Sequence, residues 1–335
     1  MPKSTVTTTT KEKTKMNEQT EDKILGLAVA TLKVGPLQTY RNMTVAPLIG
    51  TTEEEGPEYL TLTEALAEDL LEVTEIDHGG SVPNLRVRNL SGGSVLLLDG
   101  EELMGAKQNR VLNTTVLVAG QTEVVVPVSC TEQGRWQYKS DKFMDSGIMM
   151  AKMARSCKSQ SVTQSLRTQS SYDSNQGAVW NSIAHLSTNT SSYSPTGAMK
   201  AVYEQSESDL ISYRESFPLV KGQRGVLFFI SGSFAGSEIL SRTKAYAQVH
   251  DKILDSYALE ALLDREPSHE LPSSEQAEKF LSEVSSWRSE RFKSVGLGDD
   301  LRFRNLESHG NALLVEDTVV HAAAFGPHRE PSLET

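Results

Sequence analysis

Residues 94–136 read SVLLLDGEELMGAKQNRVLNTTVLVAGQTEVVVPVSCTEQGRW, and the fold turns on how this stretch divides. Residues 95–98 and 122–128 are apolar, β-branched runs of the kind that fill buried strands, and 114–118 is a third run between them. The residues joining the runs are not ordinary turn residues. Asp99, Glu101, Glu102, Lys107, Gln108, Asn109 and Arg110 are interleaved with Gly100 and Gly105, and the last run delivers Cys130, Glu132, Arg135 and Trp136. A surface loop needs only solubility, which Ser, Asn and Lys in any order supply. Carboxylates, amides, both kinds of cation and an aromatic at strand ends have the composition of a binding site, because a sheet holds polar groups in fixed geometry. A salt-bridged hairpin connection is the plainer reading of the same residues.

Two parts of this stretch, DGEELMGAKQNRVLN (99–113) and VPVSCTEQGRW (126–136), resemble the signature of the ADP-ribosylglycohydrolase and rhodanese-phosphatase-associated protein family. The segments GVLFFISGSFAGSEIL (225–240) and ALLVEDTVVHAAAF (312–325) match it more weakly, and the similarity runs from about Leu25 onward. The resemblance implies a link to ADP-ribose or NAD-derived nucleotide chemistry. It implies no assigned catalytic mechanism.

Composition sets outer bounds. A chain of 335 residues can hold one large domain or two smaller ones, and its net charge of −11 argues against non-specific binding to nucleic acid or to an anionic membrane. A local basic pocket of Lys107, Arg110 and Arg135 is compatible with that balance. Two cysteines, Cys130 and Cys157, make neither a disulfide framework nor a four-cysteine metal site. The first residues lack the apolar core of a secretory signal, and no run approaches the roughly 18 apolar residues a membrane helix requires. A soluble, cytoplasmic protein is the expectation, with no membrane contact and its oligomeric state open.

Taken in order, residues 1–22 are Thr-, Lys- and Glu-rich and read as a disordered tail. A single domain is expected over 23–326, and 327–335 as a frayed C-terminus. Two strands fit 25–49. A short helix fits 62–71 behind Thr61-Leu-Thr63-Glu64, then a strand over 72–77 ended by His78-Gly79-Gly80, and a half-exposed strand over 85–90. Part of a short helix fits 149–153. Residues 156–195 are dominated by Ser, Thr, Gln and Asn, which predicts a polar, mobile insertion with one structured island at 178–186. A helix follows over 197–217, a buried strand over 226–230, and an amphipathic helix over 246–263. A charged helix over 275–287 leads to strands at 301–305, 311–315 and 318–325, with Glu316-Asp317 as a hairpin turn. Strands first, helices in the middle and strands again make an α+β fold of mixed, mainly antiparallel sheets, in which the last strands rejoin the first sheet.

Glu102 is the first candidate for a general base, since burial behind a strand would raise its pKa; its neighbour Glu101 should point the opposite way on an extended segment. Glu132 and Glu238 are further candidate catalytic carboxylates, with helix capping as the alternative for Glu238. Lys107, Arg110 and Arg135 suit a phosphate, Gln108 and Asn109 a ribose or base edge, and Trp136 a stacked ring. Cys130 reads as a buried inert thiol and His321 as a satisfied core histidine. The seven histidines show no metal-ligand spacing, and no GxxxxGK[ST], GxGxxG or GxSxG occurs, so neither a metal nor a cofactor is expected. The expected function is binding of an ADP-ribose-type or NAD-derived nucleotide, with hydrolytic processing left open; the expected partner is a phosphate-bearing small molecule. The alternative is a non-catalytic ligand-sequestering or protein-interaction module built on the same cluster.

Overall fold

The computed structural model describes residues 25–76, 83–264, 271–284 and 287–327. The expected tail at 1–22, the turn at His78-Gly79-Gly80 and nearly all of the expected frayed end lie outside these residues. Among them the fold is α+β, built from helices and sheets whose strand pairs are antiparallel except for one parallel pair at 59–61 and 94–96.

The largest sheet has nine strands. Its order is β1 (Leu32–Val34), β3 (Met43–Gly50), β13 (Gln223–Ile230), β14 (Ser233–Leu240), β18 (Thr318–Phe325), β17 (His309–Val315), β16 (Asp299–Arg304) and β15 (Arg288–Lys293), with β2 (Gln38–Tyr40) paired to β3. The C-terminal strands therefore join the sheet that holds the strands of the first fifty residues, as expected, with β13 and β14 between the two groups. Every residue of β13 is buried because both faces of the sheet are covered. Val226, Phe228 and Ile230 pack toward the helix α6 (Thr243–Leu263), with Phe228 stacked on Tyr257 at 3.9 Å. Leu227 and Phe229 pack the other way, toward α7 (Ser274–Val284) and Trp287. Glu316 and Asp317 join β17 to β18 with φ of 49° and 63°, a left-handed pair as a type I′ turn requires.

The other two sheets are interleaved in sequence. The three-stranded sheet is β10 (Val116–Val118), β7 (Ser94–Leu97) and β4 (Tyr59–Thr61). The six-stranded sheet is β12 (Phe143–Met149), β8 (Glu101–Gly105), β9 (Arg110–Leu112), β11 (Glu123–Cys130), β6 (Asn84–Asn89) and β5 (Leu71–Glu75). Between β7 and β10 the chain leaves one sheet at Asp99–Gly100 and returns at 113–115. Their shared core contains Val73, Val87, Val95, Leu97, Leu103, Leu112, Val118 and Val126. The helix α1 (Leu62–Ala67) starts on a capping box: the Thr61 amide donates to Glu64 Oε2 at 3.0 Å, and the Glu64 amide to Thr61 Oγ1 at 3.2 Å.

The structure departs from expectation in four places. Residues 25–49, read as two strands, are helical at 25–30 and then form three strands, β1 to β3. Residues 101–105, read as a polar connection, form β8, since Leu103 and Gly105 face the core of the six-stranded sheet. Most of 156–195 is helical: α2 (Lys152–Gln169) and α3 (Gln176–Asn189) pack on the sheets. Serines and threonines mask this helicity, because α2 buries Ser156, Ser159, Arg155 and Lys158 beside only three aliphatic residues, Ala154, Val162 and Leu166. The expected helix over 197–217 is divided at Ser206 into α4 (Met199–Gln205) and α5 (Glu207–Ser216).

Candidate functional site

The tip of the β8–β9 hairpin lies against the segment that follows β11. The tip is strained, with Gly105 at φ 147° and Ala106, a non-glycine residue, at φ 38°. Arg135 holds it in place. Its Nη1 donates to the carbonyls of Ala106 (2.8 Å) and Gln137 (3.0 Å), and its Nη2 donates to Gly105 O (3.3 Å) and Asn109 Oδ1 (2.9 Å). Its Nε completes the set with Glu132 Oε2 at 2.7 Å. All five donors of the guanidinium thus have protein acceptors, so Arg135 braces the hairpin. Asn109 is tied again through its carbonyl, which accepts from the Thr131 amide at 3.1 Å.

Arg110 and Gln108 lie inside the same assembly. Arg110 is fully buried, and its Nη1 donates to Gln108 Oε1 at 2.9 Å while Glu75 stands 3.6 Å from Nη2. Two residues of the expected ligand set reach the surface. Trp136 is 47% exposed, as is its neighbour Tyr138 at 49%, and the Lys107 ammonium lies 5.1 Å and 5.3 Å from their ring centres. The Arg110 guanidinium sits 5.9 Å from the Trp136 ring. The two polar segments therefore meet, and they do so mostly by binding one another, with a cation and two rings facing out.

Glu101 and Glu102 diverge, as alternation along β8 demands. Glu101 accepts from the Leu98 amide (2.8 Å) and from Lys252 of α6 (3.0 Å), whose ammonium also reaches Asp145 at 2.7 Å. Glu102 turns the other way and accepts from Thr131 Oγ1 at 2.5 Å. Its second oxygen is buried with no hydrogen-bond partner. Burial drives the Glu102 carboxyl up to about 7, opposed by Thr131, Ser146 and the Lys200 ammonium. Glu132, besides holding Arg135, accepts from Thr196 Oγ1 at 2.8 Å.

Glu238, the third candidate carboxylate, stands in a different set of contacts. It pairs with Arg155 of α2, Nη1 to Oε1 at 2.5 Å, and with His321 Nε2 at 3.0 Å. His321 Nδ1 lies 2.8 Å from Thr115 Oγ1, which also accepts from the Asp99 amide at 3.0 Å. Asp99 closes the circuit through Lys158 Nζ and through Arg155 Nε at 3.4 Å. Burial alone would raise the Asp99 carboxyl, but Lys158 and Arg155 hold it below the ordinary range. Burial drives Lys158 down to about 8 against the pull of Asp99. Both points where the chain changes sheets, Asp99 and Thr115, feed this cluster. Gly100 has φ 89°, and a Cβ there would lie 2.7 Å from Arg155 Cδ, so glycine is needed for that approach.

Sequence reasoning did not find Arg155, Lys158 or Lys252. The signal was present in the first two, cations three apart in AKMARSCKSQ on what proves to be one face of α2, but no apolar period announced the helix. His321 is fully buried with a partner at each nitrogen, and the Cys130 thiol is buried, with its pKa raised by burial. No group of three or more metal-binding side chains occurs among the described residues, and none of their helices is long and apolar enough to cross a membrane.

These features define an α+β domain in which polar clusters lock interleaved sheets together, with an aromatic and cationic edge at one hairpin tip. The chain belongs to the family described as the ARG and Rhodanese-Phosphatase-superfamily-associated Protein domain, ARPP-1, which it matches over residues 31–325. No curated protein and no solved structure matches it.

Proposed function

We propose that this domain binds an ADP-ribose-type or NAD-derived nucleotide at the β8–β9 tip. One observation carries the reading: Lys107 between the half-exposed rings of Trp136 and Tyr138, on a hairpin made rigid by Arg135. A base stacks on the exposed rings, and a phosphate meets the Lys107 ammonium. Arg110, Gln108 and Asn109 support that surface from beneath. The family's description points the same way, since it pairs the domain with ARG proteins, which we read as ADP-ribosylglycohydrolases. Titrating ADP-ribose and NAD by calorimetry tests the proposal. Trp136→Ala should weaken binding about tenfold or more, on the order of the 1–3 kcal/mol typical of a stacked base. Absence of binding, or binding indifferent to Trp136 and Lys107, overturns it.

Turnover is a second reading, favoured by Glu102, a carboxyl near pKa 7 with one unpartnered oxygen. In it Glu102 takes a proton from the attacking water, while Glu132 and Glu238 position Arg135 and Arg155. The complete burial of Glu102 favours binding without turnover. Product analysis after incubation with ADP-ribose separates the two: Glu102→Gln should keep the affinity and abolish any product.

A further inference from the structure

A cleft of about 380 Å³ lies between α2 and the β16–β17 hairpin, and no residue of the β8–β9 tip lines it. The volume falls in the roughly 300–1,000 Å³ range of small-molecule sites. Its α2 wall offers Gln160, Thr163, Gln164 and Arg167. Two contacts fix that wall: the Gln160 amide donates to His309 Nδ1 at 3.2 Å, and Arg167 Nε pairs with Glu290 at 2.9 Å.

The opposite wall has an unusual charge arrangement. In the β15–β16 register Arg288 stands directly opposite Arg304, and Arg304 stands opposite His309, so the two arginines share one face of the sheet. Both are exposed, and among the described residues neither makes an ion pair. Like charges directly opposite each other on a sheet repel, and the two acids on that face, Glu290 and Asp300, are already engaged by Arg167 and Arg302. The next residue inward on the same face, Arg302, is 2% exposed and is neutralised by Asp300 at 2.6 Å. Three arginines and a single acid, Glu307, line the cleft, in a chain whose net charge is −11. With Arg167 and Arg302 neutralised by Glu290 and Asp300, Arg304 and its cross-strand neighbour Arg288 are the cations left to an anion.

We propose that this cleft binds a small phosphate-bearing molecule, its phosphate held by Arg304 of the wall together with Arg288, which does not line the cleft but stands opposite Arg304 on the neighbouring strand, and its polar remainder by Gln160, Thr163 and Gln164. Guanidinium groups side by side match the oxygens of a phosphate and are held apart by strand spacing, so an anion between them relieves their repulsion. The inference is independent of the nucleotide reading, because it uses none of the hairpin-tip residues. Inorganic pyrophosphate is the probe, titrated into the full chain at constant ionic strength and followed by calorimetry, with citrate as the carboxylate control. Saturable pyrophosphate binding is expected, at least fivefold tighter than citrate. Arg304→Ala and Arg288→Ala should each weaken it about tenfold at unchanged melting temperature. No saturable binding, equal affinity for citrate, or binding indifferent to both arginines would overturn the proposal.

Discussion

The cluster between the sheets and the cluster at the β8–β9 tip draw on the same residue types and end differently. Asp99, Arg155, Lys158, Glu238 and His321 are all 1% exposed or less, and each has partners within the cluster. At the tip, Arg110, Asn109, Glu132 and Arg135 are buried in the same manner, but the network runs out to Lys107 and two half-exposed rings. A closed network serves the fold: its charges gain most of their worth from one another, and removing one strands the rest. An open one holds groups rigidly and still presents them at the surface, which is what a ligand requires. The difference lies in the last few side chains, not in the composition.

The sharpest way to break this contrast is Arg155→Ala. It would leave Glu238 and Asp99 buried without their shared cation, and denaturant unfolding should show a loss of about 3–5 kcal/mol. A loss under about 1 kcal/mol would mean that the inter-sheet cluster is not closed in solution.

Glu102→Gln sharpens the comparison through pH. The Glu102 carboxyl titrates at about 7 in the fold, against an ordinary value of 4.5, so folding favours its protonated form. That contribution is complete below pH 4.5 and is lost as pH rises through 7. The glutamine variant should therefore match the parent at pH 4 and exceed it at pH 8 by up to about 3 kcal/mol. Parallel stability curves would place Glu102 in contact with water.

Gly100→Ala should cost about 2 kcal/mol or more, since it adds a left-handed alanine to a contact with Arg155. The smallest effect on stability belongs to Trp136→Ala. At a half-exposed position it should shift stability by no more than about 1 kcal/mol, while changing ligand affinity far more.

The strand runs of 94–136 were legible because β-branched residues bounded by glycine leave little other choice, and the hairpin at Glu316-Asp317 followed from its flanks. The meeting of 100–110 with 130–136 was legible as well, in the sense that residues of complementary charge gathered in two segments. What could not be read was the direction of each donor. Arg135 suits a phosphate equally well in sequence, and only its five acceptors show that it braces a hairpin. The helices of 152–189 were hidden for a related reason. α2 buries charge and hydroxyls against Asp99, Glu238 and Asn311, and a periodicity built on apolar residues does not register a face made of Arg155, Lys158 and Ser159. Its partners lie some 50 to 150 positions away in sequence.

The most direct test is a crystal structure of the protein with ADP-ribose. The base should lie against Trp136 or Tyr138 with a phosphate on Lys107, and the Arg135 contacts should be unchanged. A nucleotide found only in the cleft beside Arg304, or seated where Arg155 meets Glu238, would contradict the assignment of the hairpin tip as the ligand-binding face.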